Sequence, residues 1–492
     1  MFKRATFLLV LSGLLACGDD DPKRVPTTTL DASASTADAG ALESARDSES
    51  PSNQSDAGPV AVASAALTYW QDMVPLFEAH CLSCHQQGGI APFRLDEYAS
   101  AKAQARLIAH STGARTMPPW NVTSDGSCGT FEHSLALSDA QIASIGKWVA
   151  DGAQEGTPAT VRVPPRETLS AANDYATPLD YVPEVQGGVL AEADDYRCFL
   201  FDPGIDANRF ITGYDVVPGV PEIVHHVVLS VVDPAGPADS MPGLTNAQVL
   251  DALDKQSPDR AGWPCFGLAG EGVSVESIPV VWAPGQGVVK FPGDSGVLVS
   301  PKHKLVVQVH YNLADPAQRG KPDSTHVRLQ LASQVANLGI FQLPDGLLES
   351  LYTKPMPDQL PPGQASVLYT FKRNLSELDL DGLPGLKLYG VMPHMHQRGV
   401  KYQLRVKSAD SQPMACAADV QRWDFHWQRM YFYQQPWLIG PGAEFELTCD
   451  FDTSDATSPV LPGWGTRNEM CLATLYFTVP LGMSAADAAL AK

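Results

Sequence analysis

A period of two in the apolar side chains begins near residue 180, and this feature most constrains the fold of the 492-residue chain. Runs such as Val224–Val232, Lys304–His310 and Glu444–Cys449 alternate between apolar and polar residues, and turn residues separate them; the chain has 40 glycines and 40 prolines. Short alternating runs of this kind predict antiparallel β-sandwiches. Because the region is longer than one sandwich of roughly 100 residues, we expect two consecutive jelly-roll-like β domains, at residues 180–335 and 336–488.

Helical patterns dominate the region before these strands. Trp70, Val74 and Phe77, with Met73 and Leu76, form one apolar stripe, and Ser138 followed by Gln141 is a capping box that opens another helix. We therefore expect a small all-α domain at residues 67–156, followed by a proline-rich linker at residues 157–179.

The first 17 residues have the features of an export signal. Lys3 and Arg4 precede an apolar stretch that is too short to span a bilayer and that ends in Leu14-Leu15-Ala16-Cys17. This resembles a bacterial lipoprotein signal peptide, which implies cleavage before Cys17 and lipidation of that residue; an ordinary secretory peptide is the alternative. Residues 18–66 are too polar to fold and predict a disordered spacer. We expect an exported protein that is held at the outer membrane or cell surface by its lipid anchor only and that faces the periplasm or the exterior.

The charge of the chain excludes one class of partner. With 34 basic against 55 acidic side chains, the formal net charge is -21. Nucleic-acid binding requires a basic face, so we expect no nucleic-acid partner.

Cys81-x-x-Cys84-His85 predicts a covalent haem c. Two thiols on one helical turn can bind the haem vinyl groups, and the adjacent imidazole can bind the iron. A thioredoxin-like pair or half a zinc site is the alternative, but neither a βαβ pattern nor a second cysteine pair is nearby. Met117, among prolines, resembles the axial methionine of small c-type cytochromes, with His110 and His133 as competitors.

Two histidine pairs in the β region indicate metal sites. His394 and His396 lie on the same face of an extended strand, where both can bind one ion. His225 and His226 would point to opposite faces of a regular strand, so this pair requires a strand start or an irregularity. Adjacent histidines are also common without a metal, and each pair alone is compatible with a purely structural role.

The order of four motifs adds specificity. His225-His226, then Gln308-Val309-His310-Tyr311, then His394-Met395-His396, then Met470-Cys471 together resemble the copper type II, ascorbate-dependent monooxygenases, over residues 180–480. The resemblance implies two copper ions. One would be held by His225, His226 and His310 and would transfer electrons; the other would be held by His394, His396 and Met470 and would activate dioxygen.

The ligand types agree with this resemblance. Imidazole binds both oxidation states of copper, and a thioether favours Cu(I). Gln308 and Tyr196 match positions near the first copper. His303 competes with His310 for the third position, whereas His326 and His426 are expected to be ordinary strand residues, the latter in an aromatic run at residues 423–427 that fills a sandwich core.

Nine cysteines leave six after Cys17, Cys81 and Cys84 are assigned. Six cysteines in an oxidising compartment suggest disulfides with fifteen possible connectivities. The family resemblance implies the pairs Cys198 with Cys265 and Cys449 with Cys471. A pair formed by the remaining Cys128 and Cys416 would link the helical domain to the second β domain.

We therefore expect a copper monooxygenase that hydroxylates a C–H bond of a small organic substrate with dioxygen. Its electrons come from ascorbate or a redox protein, and the fused haem is a candidate route to the copper. Family members that act on peptides bind a carboxylate at positions that here are Met392, Leu472 and Thr474, so a neutral or apolar substrate is expected. The alternatives are a non-enzymatic haem and copper electron carrier and a module that docks another redox protein.

Overall fold

The alternating runs of the sequence form strands in the computed structural model of the protein. The structure describes residues 66–482 except 90, 164–166, 171, 186–192, 240, 266–267, 285, 426 and 465–466. The predicted signal peptide with Cys17, nearly all of the spacer and His426 therefore lie outside the described residues. In the described part of the chain, no helix has the length and apolar character needed to cross a membrane.

Six α-helices are described. Their bounds are α1 Val74–His80, α2 Tyr98–Ala103, α3 Ala105–Gly113, α4 Asp139–Ala150, α5 Asn246–Asp254 and α6 Gly346–Thr353; a π-helical turn at Tyr69–Met73 precedes α1, and Pro316–Gln318 form a 3-10 turn.

Eighteen strands are described. Their bounds are β1 Ala172–Ala176, β2 Asp194–Phe201, β3 Arg209–Val217, β4 Val224–Val232, β5 Trp263–Pro264, β6 Ser277–Trp282, β7 Val289–Lys290, β8 Ser295–Val299, β9 Lys304–Asn312, β10 His326–Ala332, β11 Asn337–Gln342, β12 Val367–Asn374, β13 Lys387–His394, β14 Gly399–Lys407, β15 Met414–Val420, β16 Tyr431–Leu438, β17 Glu444–Phe451 and β18 Leu472–Pro480.

These strands form three sheets. The largest has the order β1-β10-β3-β8-β11-β18-β13-β16, with β7 added to β3; the others have the orders β5-β2-β9-β4-β6 and β12-β17-β14-β15. One apolar core contains Val227, Val307 and Ile211, between the five-stranded sheet and the first half of the large sheet. A second core contains Leu404, Leu447 and Leu475, between the four-stranded sheet and the second half. The structure is thus mostly β-sheet with few helices, in agreement with the predicted β-sandwich character.

The large sheet continues through the predicted boundary near residue 335. Parallel pairing of Asn337 with Ser295 joins β11 to β8. Strand β1 lies inside the predicted linker, where its polar sequence gave no period-two signal, and forms an edge of the sheet by pairing with β10. Thus the segment at residues 157–179 is not wholly a linker.

The helices before β1 have their own core, which includes Tyr69, Met73, Phe77 and Trp148. The capping box of Ser138 and Gln141 is present at the start of α4. Within the predicted stripe Met73, Val74 and Phe77 are buried, and Trp70 and Leu76 are partly buried and pack against the same core. Tyr69, which lies outside the predicted stripe, is fully buried. The wider π-helical turn shifts the phase of the buried face.

Candidate active site

Three imidazoles converge on the face of the five-stranded sheet. His310 lies on β9 directly opposite His226 on β4, and the pairing shifts register between Val224 and His226. This irregularity, which the sequence analysis required, brings the side chain of His225 beside that of His226. The Nδ1 atoms of His225, His226 and His310 lie 3.1–3.3 Å from one another. In a neutral imidazole each Nδ1 atom either donates or accepts a hydrogen bond, so three mutually facing Nδ1 atoms cannot all be hydrogen-bonded to one another. A cation shared by the three nitrogen atoms fits this arrangement.

The surroundings of this triad favour the neutral form of His226 and His310. Burial, together with the neighbouring histidines, holds the pKa of His226 and His310 well below the usual value. Neutral imidazole is the form that binds a transition metal. The Nε2 atom of His310 lies 3.1 Å from Asp194 Oδ1, and a carboxylate at this distance orients a metal-binding ring.

Tyr196 and Gln308 lie where the family resemblance implies, beside the first triad. The Tyr196 ring stacks on the His310 ring with centroids 3.9 Å apart. Gln308 Nε2 lies 3.5 Å from the sulfur of Cys265, which is disulfide-bonded to Cys198. These contacts fix the positions of Tyr196 and Gln308 beside the His310 ring.

His394, His396 and Met470 form the second candidate ligand set. His394 ends β13 and pairs with Leu472 of β18, two residues after Met470. The His394 and His396 rings are perpendicular, with centroids 5.2 Å apart. The Nδ1 atom of His394 bonds to Gln428 Oε1, and that of His396 bonds to the Asn468 carbonyl at 2.9 Å. Both Nε2 atoms therefore remain as metal ligands, and two imidazoles with a thioether fit copper.

Glu469 holds this second set together, and the sequence analysis did not identify it. Its side chain is fully buried and accepts the backbone N–H groups of His396 at 2.9 Å and Arg398 at 2.7 Å. Burial raises its pKa to about 8, against the opposing effect of these N–H groups. Its position directly before Met470 was the available signal. The Cys449–Cys471 disulfide anchors the same loop.

His225 and His226 of the first ligand set and all three side chains of the second set line one cavity of about 120 Å³. The ring of Phe425 lies between them, with its centroid 5.3 Å from that of His225 and 6.2 Å from that of His396. The segment around Phe425 is a loop, so the prediction that residues 423–427 fill a sandwich core is wrong for Phe425. Trp423 does pack in the core and donates to the His396 carbonyl.

The thiols of Cys81 and Cys84 are not disulfide-bonded. They lie on one turn after α1, in which the N–H groups of Cys84 and His85 both donate to the Cys81 carbonyl. His85 Nδ1 lies 3.0 Å from the Phe93 carbonyl, which leaves Nε2 for an axial bond. Burial raises the pKa of Cys81 to about 12 and lowers that of His85. The arrangement of these side chains fits a covalent haem. Met117 is half-buried and stays a prediction as the second axial ligand, whereas His110 and His133 are exposed.

The segment that follows Met117 docks on the second sandwich. Asn121 Nδ2 donates to the Trp427 carbonyl at 2.7 Å, and the Thr123 N–H donates to the Asp419 carbonyl at 2.7 Å. The Cys128–Cys416 disulfide links the same regions. The helical region with the Cys81-x-x-Cys84-His85 motif is thereby attached to the sandwich that carries the second ligand set.

The competing histidines lie elsewhere. His303 accepts the N–H of Ser300 and lies 3.0 Å from Glu276, so it does not belong to the triad. His326 lies 3.0 Å from Asp174 at the edge of the large sheet. His310 belongs to the triad because it lies opposite His226 in the strand pairing, and His303 has no such partner.

Comparisons with known proteins found similarity to copper monooxygenases in the region that contains the second ligand set. Residues 347–488, which contain it, match the family model for "Copper type II ascorbate-dependent monooxygenase, C-terminal domain". "DBH-like monooxygenase protein 1" of Homo sapiens is 24% identical over 209 residues, which are 42% of this chain and 33% of that protein. "Dopamine beta-hydroxylase" of Homo sapiens is 24% identical over 316 residues, which are 62% of this chain and 46% of that protein. "Tyramine beta-hydroxylase" of Caenorhabditis briggsae is 23% identical over 214 residues, which are 42% of this chain and 34% of that protein.

The chain thus spans less than half the length of each of these relatives. Together they support the copper type II monooxygenase family for this protein. Among solved structures, the major capsid protein P2 of bacteriophage PM2 aligns with a TM-score of 0.23 and 9% identity over 63% of this chain and 99% of that chain, which is too low to carry an argument.

Proposed function

We propose that this protein is a copper-dependent monooxygenase that hydroxylates a C–H bond of a small organic substrate. The observation that carries the proposal is that one cavity is lined by His225 and His226 of the first candidate copper site and by His394, His396 and Met470 of the second. The overall reaction consumes the substrate, dioxygen, two electrons and two protons, and yields the hydroxylated product and water.

Copper, when bound, would supply dioxygen activation and one-electron chemistry. His225, His226 and His310 would hold the electron-transfer ion, and His394, His396 and Met470 would hold the ion that supplies dioxygen activation. The thioether of Met470 favours the reduced ion that dioxygen requires. Phe425 and the surrounding apolar side chains restrict water in the cavity, which protects a reactive oxidant from side reactions.

A covalent haem at Cys81, Cys84 and His85, with Met117 as its sixth ligand, is part of the proposal. The Cys84 turn and Phe93 orient His85, and the segment at residues 121–131 attaches the helical region to the second sandwich. This fixed attachment supports the haem as the electron donor, with ascorbate or a separate redox protein as the alternative source. We also propose that the protein is exported and anchored through Cys17.

Metal analysis and product analysis test the enzyme assignment. We expect two copper ions and one haem per chain, and one oxygen atom from labelled dioxygen in the product. Met470→Leu should abolish hydroxylation but leave haem reduction intact, since it removes only the thioether. His303→Ala serves as the control and should retain activity, because His303 lies 3.0 Å from Glu276 and belongs to neither ligand set.

The non-enzymatic electron carrier makes a different prediction. In that case the wild-type protein would exchange electrons but would consume no oxygen with any substrate, and Met470→Leu would change no rate. Rapid mixing of fully reduced protein with dioxygen and substrate separately tests the haem. Product formation while the haem stays reduced would contradict its role as donor.

A further inference from the structure

Arg429 lies at the junction between the helical region and the second sandwich. It follows Gln428, the residue that bonds to His394, but it is not among the described residues that line the cavity. Its guanidinium group lies over the Trp120 ring, with Cζ 5.2 Å from the ring centroid. Trp120 stands three residues after Met117 in the segment that docks on this sandwich. A cation of the second sandwich thereby contacts the segment that carries the candidate axial ligand.

The hydrogen bonds and ion pairs of the described residues give the Arg429 guanidinium no carboxylate partner. Its Nε atom is buried without an acceptor, and the residue as a whole is half-buried. A guanidinium group stays charged at every ordinary pH, and a partly buried charge without a counter-ion is costly. An anionic acceptor from outside the polypeptide would satisfy this side chain.

Cys84, the second thiol of the haem motif, lies within electrostatic reach of Arg429. Burial raises the pKa of this thiol, whereas the Ser83 hydroxyl and the positive charge of Arg429 oppose the shift. Because the interaction between charges weakens with distance, the guanidinium group lies near the thiol. A haem that is attached to Cys84 brings two propionate groups, which are carboxylates at neutral pH. Arginine is suited to bind a carboxylate, because it can donate two parallel N–H bonds to the two oxygen atoms.

We propose that Arg429 binds a propionate of the covalent haem, so that the second sandwich completes the haem site of the helical region. This inference rests on the haem that the proposed function includes. Trp120 supports the guanidinium group through its ring face. Because Gln428 is the preceding residue, one loop carries both the haem contact and the orienting partner of His394. A cation beside the haem disfavours the ferric state, which has one more positive charge than the ferrous state, so Arg429 raises the reduction potential of the haem.

The reduction potential of the haem tests this contact, and it is measured by spectroelectrochemical titration of the full chain at the haem absorbance band. Arg429→Gln removes the cation and leaves the propionate unpaired, and both changes favour the ferric state. We expect the ratio of ferrous to ferric haem at a fixed electrode potential to fall about ten-fold, which corresponds to about 59 mV for a one-electron couple. Arg429→Lys keeps the positive charge and should restore most of this ratio.

Arg422→Gln is the matched control. Arg422 lies in the same loop and also contacts the helical region, but it is exposed and donates to the backbone carbonyls of Ala114 and Arg115. Water and salt screen an exposed charge, so this variant should change the ratio of ferrous to ferric haem by less than about two-fold. An equal shift in Arg422→Gln and Arg429→Gln would overturn the proposal, because any loss of charge at the junction would then have the same effect.

Thermal unfolding separates the haem contact from simple packing on Trp120. Arg429→Met keeps an apolar side chain against the Trp120 ring but carries no charge, so it should lower the potential as Arg429→Gln does, with a smaller loss of melting temperature. Variants that melt at a lower temperature but keep the wild-type potential would refute the haem contact. A wild type without covalent haem would refute this inference together with the haem of the proposed function. Failure of the enzyme assignment alone is distinguishable, because the wild type would then consume no oxygen while its haem potential still depended on Arg429.

Discussion

Asp345→Asn is expected to stabilise the protein at neutral and alkaline pH. Asp345 begins α6 and is 2% exposed. Its Oδ1 atom accepts the N–H groups of Leu348 at 2.9 Å and Cys471 at 3.3 Å, whereas Oδ2 is buried without a partner. Cys471 follows Met470, so this carboxyl group ties α6 to the second ligand set. Burial raises the pKa of Asp345 to about 6, from an ordinary value of 3.8.

The sign and size of the effect follow from this pKa. Between pH 3.8 and about 6 the folded state binds more protons than the unfolded state, so stability falls as the pH rises and stays reduced above this window. The full loss is about 3 kcal/mol, of which about 0.8 kcal/mol falls between pH 5.5 and pH 8. Asparagine keeps the accepting oxygen and carries no charge. We therefore expect the free energy of unfolding to rise by about 1 to 3 kcal/mol at pH 8, and by less at pH 5.5.

Urea unfolding monitored by tryptophan fluorescence at the two pH values measures this effect. Asp315→Asn is the control, because Asp315 also caps a helical turn by accepting the N–H of Ala317 at 2.9 Å but is exposed. Its replacement should cause a small loss that does not change with pH. If Asp345→Asn destabilised the protein at pH 8, or if its effect were the same at both pH values, burial would not dominate the energetics of Asp345.

The remaining predictions concern the two metals and the attachment of the helical region. His310→Ala should lower the copper content from two ions to one per chain by mass spectrometry, and His303→Ala should leave it at two. Cys84→Ala should weaken or eliminate covalent haem attachment, measured as haem absorbance that remains with the denatured protein. Copper binding should persist, because both copper-ligand sets lie on the β-sheets. Replacing both Cys128 and Cys416 with alanine should reduce the free energy of unfolding by about 2 to 4 kcal/mol. If the double variant were as stable as the wild type, the disulfide would not stabilise the fold.

Sequence reasoning located the strands well where one face of a strand is buried. The run Val224–Val232 forms β4 with the same bounds, and the other two runs lie at the starts of β9 and β17. The three disulfides join Cys128 to Cys416, Cys198 to Cys265 and Cys449 to Cys471, the pairs raised from the sequence. The short helices α2 and α3 were missed, because six to nine residues give too few turns for a clear helical period.

The register of the strands decided which histidines meet. Spacing alone left His303 and His310 as competitors, and it required an irregularity at His225 without showing one. The strand pairing identifies His310 as the third member, because it lies opposite His226. It also shows the irregularity, because the register shifts between Val224 and His226. A one-residue change of register would turn these side chains to the opposite face, so the sequence spacing could not settle the matter.

What the sequence by itself determined is local chemistry and periodicity: a helical region with a Cys-x-x-Cys-His motif, a long β region, and the types and order of the candidate copper ligands. These features depend on residues that are close together along the chain, because helices and strands have fixed periods and motifs have fixed spacings. Only the tertiary structure decided that side chains of both ligand sets line one cavity and that Glu469 holds the loop of Met470. These contacts join residues far apart in the chain, and packing between sheets, which no local period encodes, brings them together.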